Sequence, residues 1–523
     1  MWFETRSWSG NQYLDGREQC YLLGDNWDDF GFKTTFQLLV FDDEGNRHEP
    51  GHLKIGRAGM TGGPVEVPGR FEQLPDDYFS LGLDQNYYET LMELPVGLRD
   101  EILRGLRDCA FDELIYERFK EEEVMTTSLL RGTSRRRVQD IYASILAGNV
   151  RLTPFAFRFT DLELTRDGAD PFQLSVGVQP DSMPPTNVHV LIGRNGAGKT
   201  RLLLKLAEAF LREGPRDRGL EDAVDFLGEE GEDYGRFSSL VAVSFSAFDR
   251  FDPGAGVMSY SYVGLRREAR DDGAEGEPQT PDAVTVGGPG EEQPTEPTLK
   301  SLAELESDFA SSLRECLQGP RLRRWRAAME TLSSDPGIAS LGLADTPEEP
   351  TDADHARIVD AFRSLSAGHK IVLLSATRLV EFVDERSLVL IDEPETHLHP
   401  PLLGSFTRAV SELLVRRNGV AIMATHSPVV IQEVPRNCVH VIRRSGDEAV
   451  ITHPESETFA ENVGVLTREV FGLELTASGY YRLLSRAADS GDFQAAVQEF
   501  EGRVGGEGLG ILRALVSRLR GQE

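Results

Sequence analysis

The chain has 523 residues, 40% hydrophobic and 27% charged, the composition of a globular protein with room for roughly two to four structural units. Lys and Arg total 55 against 86 Asp and Glu, a formal charge of −31, which excludes a broad non-specific grip on nucleic acid because phosphate contacts depend on clustered cations. No apolar run is long enough to cross a bilayer, Met1-Trp2-Phe3-Glu4 opens no signal peptide, and Cys20, Cys109, Cys316 and Cys438 are scattered, so the expectation is a cytoplasmic protein with reduced thiols and no membrane partner.

Residues 1–60 are β-rich, with a predicted strand from Thr34 to Phe41, a turn over Asp42 to Asn46 and a return strand from His52 to Ile55. Residues 61–150 read as a helical accessory module, since Tyr87 to Leu94, Val96 to Cys109, Phe111 to Glu122 and Arg135 to Leu146 space apolar residues by three and four. No catalytic constellation emerges in this front third, whose default role is sensing or partner binding. Strands are predicted at Phe155 to Leu164, Phe172 to Val178 and Val188 to Ile192, a helix from Arg201 to Arg212, and a buried strand at Leu240 to Phe245. Residues 266–300 are acidic and rich in Pro and Gly; they bury too little to offset ordering entropy and are expected to form a mobile insertion. Helical segments resume at Leu302 to Leu317 and Leu322 to Leu332, inside a helical insertion over 301–352, and again at Asp354 to Ser364. Residues 456–523 form a helical C-terminal tail. Basic runs at Arg131 with Arg135 to Arg137, at Arg321, Arg323, Arg324 and Arg326, and at Arg513, Arg518 and Arg520 are candidate local basic faces, although such runs are usually solvated helix surfaces.

The most informative stretch is Gly193-Arg194-Asn195-Gly196-Ala197-Gly198-Lys199-Thr200, between an apolar strand and an apolar helix. Strand, glycine-rich turn and helix are the context in which this string cradles phosphate: backbone N–H groups close around the anion and the helix start adds its positive dipole end. Lys199 then reaches the outer phosphates and Thr200 offers its hydroxyl to Mg²⁺, so ATP and Mg²⁺ are the expected cofactors.

Chemistry at such a site needs partners for the metal and the attacking water. The apolar strand Leu388 to Ile391 ends in Asp392 and Glu393, suited to hold Mg²⁺ and to act as general base. A second strand, Val420 to Thr425, ends at His426, placed to meet the γ-phosphate or the water. Upstream, Ser366 is a good N-cap for the helix Lys370 to Val383, and Ala367 and Gly368 leave backbone N–H groups exposed at its start.

Taken together, these motifs resemble the α/β head of ABC-type P-loop ATPases over residues 151–455: a Walker A motif at Gly193 to Thr200, a signature at Leu365 to His369, a Walker B motif at Leu388 to Glu393 and a switch histidine at His426. The run Asp392 to Pro400 resembles SMC, RecF and OLD-type ATPases more than transporters. The resemblance implies that Ser366, Ala367 and Gly368 act in trans on ATP held by another chain's Lys199, hence a homodimer through the heads or a higher oligomer. Two departures stand out. Ala367 and His369 replace the usual Gly and Gln of the signature. After Leu240 to Phe245 no Gln follows, so either Ser246 or Asp249 substitutes near Mg²⁺ or that ligand is missing and turnover is slow.

A narrower resemblance joins Thr126 to Arg131, Ser244 to Asp249 and Glu461 to Gly472 to the ATPase subunits of the bacterial anti-phage system Septu and of retron-associated systems. It implies an ATPase that restrains or licenses a separate effector such as an HNH-type nuclease, meeting nucleic acid through the complex. The alternatives are a DNA-repair or chromosome-type ATPase binding DNA directly, a transporter subunit, a non-hydrolysing nucleotide-sensing scaffold, and an OLD-like nuclease. For the last, residues 456–523 are too few, and Asp489, Asp492, Glu499 and Glu501 read as an ordinary helix surface.

Overall fold

Apolar runs that are buried on both sides of a sheet can only sit at its centre. The strands Ser239–Ser244, Ser387–Asp392, Val420–Thr425 and Val188–Gly193 are buried at every residue and occupy adjacent central positions of one seven-stranded sheet. The outer strands are Ser259–Gly264 on one side and Val439–Ser445 followed by Glu448–Thr452 on the other, and all neighbours pair parallel except the last two. The computed structural model describes residues 1–7, 14–25, 27–131, 133, 137–146, 152–161, 172–211, 223–227, 237–245, 259–267, 299–445, 448–475 and 479–520. Most of the acidic insertion, together with Ser246 and Asp249, lies outside the described residues.

Alternation along these strands divides their side chains between two cores, because successive residues of a strand point to opposite faces. Val190, Ile192, Val389, Ile391, Ala421 and Met423 enter a core with the helices Leu302–Cys316, Gly319–Leu332, Asp352–Ser364, Ala367–Phe382 and Pro400–Arg416. Leu191, Leu388, Leu390, Ile422 and Ala424 enter a second core with the helix Lys199–Leu211 and an antiparallel sheet of Phe172–Val178, Phe155–Asp161 and Ala223–Leu227. The ATPase-type α/β head expected from the motifs is therefore present.

In the front third, a six-stranded sheet runs in the order Arg70–Phe71, Trp2–Ser7, Gln19–Gly24, Thr35–Phe41, Arg47–Arg57 and Tyr78–Gly82. The last of these strands lies beyond residue 60, and one core joins Phe3 and Leu38 to Tyr87, Ile102 and Ile145, so residues 1–60 and 61–150 pack as one unit. The helix predicted from Val96 to Cys109 stops at Gly105, because the chain turns through a positive φ at Arg107 and Cys109 N–H donates to Ser80 O. The helical pattern around Thr126 is a π-helical turn, Met125–Leu129; Ser128 within it bonds Thr34 and Asp29, and its carbonyl accepts from Lys54. Arg131, first in a candidate basic run, is paired to the same Asp29.

Three arginines of the basic run around Trp325 pair across a seam with the front unit, although the Arg323 side chain stays 68% exposed, and Arg326 donates to Ala344 O. Arg321 pairs with Asp84 at 2.8 Å, Arg323 with Glu93, and Arg324 with Glu89 at 2.8 Å, so the run binds the helix Gln85–Glu93 of the front unit. Trp325 itself is fully buried and donates to Thr377 Oγ1. Arg417, beside the switch strand, also pairs with Glu89. Burial would raise the pKa of Glu89, but Arg417 and Arg324 override it and hold the carboxyl down at about 2. Because the folded value lies below the ordinary 4.5, the stabilisation is complete above pH 4.5 and is lost as pH falls toward 2. Glu89→Gln should cost on the order of 3 kcal/mol at pH 7, since it strands two buried guanidinium groups, and the deficit should shrink below pH 4.5. Denaturant unfolding of both forms across pH checks this.

Candidate nucleotide-binding site

Register along the parallel sheet brings the motif ends to one level. Ile192 lies opposite Thr425, Asp392 opposite Ala424, and Ser244 opposite Asp392. The turn after Gly193 therefore opens beside the ends of the Walker B and switch strands, at the carboxyl edge where parallel α/β sheets bind ligands.

Within that turn, Gly196 and Gly198 adopt positive φ of 79° and 99°, a conformation glycine enters without steric cost. A Cβ on Gly193 would lie 2.4 Å from Ile442 O on the neighbouring strand. Arg194, Asn195 and Gly196 are exposed, whereas Ala197 and Lys199 are buried. Lys199 Nζ donates to the carbonyls of Gly193 at 3.2 Å and Arg194 at 3.3 Å, and lies 2.6 Å from His426 Nε2. Burial pulls the Lys199 pKa below its ordinary value, with Glu393, Asp392 and Glu395 pulling the other way.

Thr200 Oγ1 donates to Asp392 Oδ2 at 2.8 Å. A hydroxyl and a carboxylate in contact at a phosphate cradle form an oxygen donor set suited to Mg²⁺, which takes few protein ligands and completes its shell with phosphate and water. Glu393 sits in the left-handed region at φ 44° and ψ 56°, its N–H donating to Ala424 O at 2.9 Å. Its Oε1 stands 3.5 Å from His426 Nε2, and its side chain is 42% exposed, open to an incoming water. Glu395, not singled out in the sequence, accepts from His426 N–H at 2.5 Å and so fixes the backbone of the switch loop.

Arg194, Asn195, Gly196, Gly198, Lys199, Thr200, Glu393 and His426 line one cavity of about 1040 Å³. Arg201, Glu395, Thr467 and Phe471 also line it, the last two from the tail helix Val463–Leu475. Sequence reading missed these four; Arg201 and Glu395 lie within two residues of motif positions, whereas nothing in the local pattern marks Thr467 or Phe471.

Ser366, Ala367 and Gly368 do not line that cavity. Ser366 caps the helix Ala367–Phe382, and Ser366 and Ala367 are exposed. The departure at His369 has a structural partner: His369 Nδ1 lies 2.7 Å from Ser366 Oγ, and its Nε2 lies 3.0 Å from Asp335 Oδ1. A Cβ on Gly368 would come within 2.6 Å of His397 O, so the signature packs directly on the loop after Glu393. In the tail, Asp492 caps the helix Phe493–Glu499, and among the described residues no cluster of three or more His, Cys, Asp or Glu is placed to hold a metal.

The parallel sheet, the glycine cradle with its lysine and the acidic strand end beside it define a P-loop head of the ABC-type α/β fold. The family profile described as "AAA domain, putative AbiEii toxin, Type IV TA system" matches residues 333–432, the stretch holding the signature, Walker B strand and His426. At full length the chain is 37% identical over 531 residues to protein ea59 of Escherichia phage lambda, covering 96% of this chain and 95% of that protein, and it belongs to the ea59 family. Among solved structures it is similar to the ADP conformation of an ATP-binding cassette of an ABC transporter, at 14% identity, covering 61% of this chain and 98% of that one with a TM-score of 0.28. It is also similar to UvrA2 from Deinococcus radiodurans, at 14% identity over 59% of this chain and 39% of that one with a TM-score of 0.25.

Gly193→Ala should both lower thermal stability and weaken ATP binding by more than tenfold, because the methyl group drives the cradle away from Ile442. Lys199→Ala should abolish binding with little loss of stability. Thermal melts with and without ATP distinguish the two.

Proposed function

We propose that the chain binds ATP over Gly193–Thr200, hydrolyses it to ADP and phosphate, and uses bound ATP to pair its head with a second copy. The observation that supports this is the convergence of Lys199, Thr200, Asp392, Glu393 and His426 around one cavity. The Lys199 ammonium exchanges its carbonyl partners for phosphate oxygens, which gives it a charge partner in a buried setting. Glu393 takes a proton from the attacking water, and His426, on the same side of the cradle, holds that water or the γ-phosphate in line. Thr200 and Asp392 are the residues that would hold Mg²⁺, whose charge, when bound, offsets that of the phosphates.

Ser366 and Ala367, exposed at a helix start, and the partly buried Gly368 beside them lie away from their own chain's cavity and present hydroxyl and backbone N–H groups to ATP held by the second copy. Such a pair changes shape with its nucleotide, and the front unit, tied to the head through Glu89, moves with it. An associated effector under ATP control, of the HNH-nuclease class implied by the Septu-like resemblance, is the partner this favours. A family profile whose description names a toxin and a phage-borne relative support a setting of phage and host conflict.

Glu393→Gln should reduce turnover at least a hundredfold while ATP binding is retained, as expected when a general base is removed. With ATP the variant should double its mass by light scattering, and Ser366→Arg should cancel the doubling. Wild-type turnover in Glu393→Gln would overturn Glu393 as the general base, absence of turnover in the wild-type chain would transfer the reading to a non-hydrolysing nucleotide sensor, and an unchanged mass would sink head pairing.

A further inference from the structure

Every residue from the cradle, Walker B and switch segments that lines the cavity is polar, charged or glycine: a surface for phosphate with nothing flat and apolar for a base. Among the described lining residues, Phe471 supplies the one phenyl ring and the one large apolar side chain. It comes from the tail helix Val463–Leu475, one turn after Thr467, so the two share the face turned to the cavity. The adjoining face anchors the helix: Leu466 is fully buried in the main core and Val470 packs against it. Asn462 Oδ1 accepts from Gly464 N–H at 2.8 Å at the helix start, and Glu469 accepts from the backbone N–H groups of Glu455 and Ser456. Phe471 is itself half-buried, its ring held by that core. Among the described residues, the aromatics of the antiparallel sheet are committed elsewhere: Phe155, Phe157, Phe159 and Phe172 are buried among apolar neighbours, and Phe226 packs against Phe157, Phe210 and Phe237.

We propose that Phe471 is the base platform of the nucleotide site, stacking on the purine of the bound nucleotide, with Thr467 beside it at the base or ribose. This rests on the phosphate-cradle reading of Gly193–Thr200 and adds to it the part of the ligand that the cradle does not recognise. The tail helix thereby completes the nucleotide site, and its contact distinguishes a nucleoside triphosphate from bare polyphosphate.

The test uses the full chain titrated calorimetrically with ATP, ADP and inorganic tripolyphosphate. Phe471→Ala should weaken ATP and ADP roughly ten- to a hundredfold, the range of one lost base–aromatic stack, and leave tripolyphosphate unchanged. Phe471→Tyr, which keeps the ring, should retain the wild-type affinity for ATP. Undiminished tripolyphosphate binding also reports that the variant is folded. Equal weakening of all three ligands would make the helix a mere support for the cradle and overturn the proposal, as would unchanged ATP affinity in Phe471→Ala. Failure of the wild-type chain to bind either ATP or tripolyphosphate would instead overturn the cradle reading itself.

Discussion

Register within the parallel sheet is the constraint on which the site depends. Ile192 opposite Thr425 and Asp392 opposite Ala424 put three chemically different strand ends at one height, although the first precedes the other two by 200 residues or more of chain. A slip of one residue would send Asp392 to the other face and exchange every apolar side chain between the two cores. Both cores thus specify the site: the packing of Val389 and Ile391 on one side and Leu388 and Leu390 on the other is what aims Asp392. The ladder runs one step past the strand, through Glu393 N–H to Ala424 O, so Glu393 is positioned by the backbone even where its side chain is open to solvent.

A second dependence links the head to the front unit. Glu89 holds Arg324 from one helix of the head and Arg417 from the end of another, and Arg321 and Arg323 extend the seam to Asp84 and Glu93. Buried pairs of this kind add little net stability but penalise every arrangement that separates them. The seam therefore holds the front unit in one orientation more than it strengthens the fold. It also engages Arg321, Arg323 and Arg324 of the candidate basic run in pairs with front-unit carboxylates.

Much of the head was legible in the sequence because strands buried on both faces write continuous apolar runs, and their chemistry follows immediately at the strand end. Val188 to Gly193, Leu388 to Glu393 and Val420 to His426 all have that form. Helix periodicity likewise located four of the five helices that cover one face of the sheet, Pro400–Arg416 being the one not predicted. Illegible were contacts set only when distant pieces meet. Glu395 reaches the N–H of His426, 31 residues on; Asp335 reaches His369 across 34; Phe471 joins the cavity from a helix whose own pattern records only its buried side. The π-helical turn at Met125–Leu129 escaped for a related reason, since its apolar spacing is helical while Ser128 is drawn inward by Asp29 and Thr34. The expected boundary at residue 60 followed a change of composition, whereas the sheet closes only with Tyr78–Gly82.

Glu393 is held in a left-handed conformation that costs a non-glycine residue about 1 kcal/mol. Glycine or asparagine would sit there more comfortably, and a fold tuned for endurance alone would carry one of them. The carboxylate is present against the preference of its own backbone, so selection for robustness and selection for chemistry oppose each other at this residue. A screen for heat-resistant variants would be drawn toward replacing it, and under the proposed function thermal tolerance gained at position 393 would be a signature of lost chemistry rather than of a better-made protein.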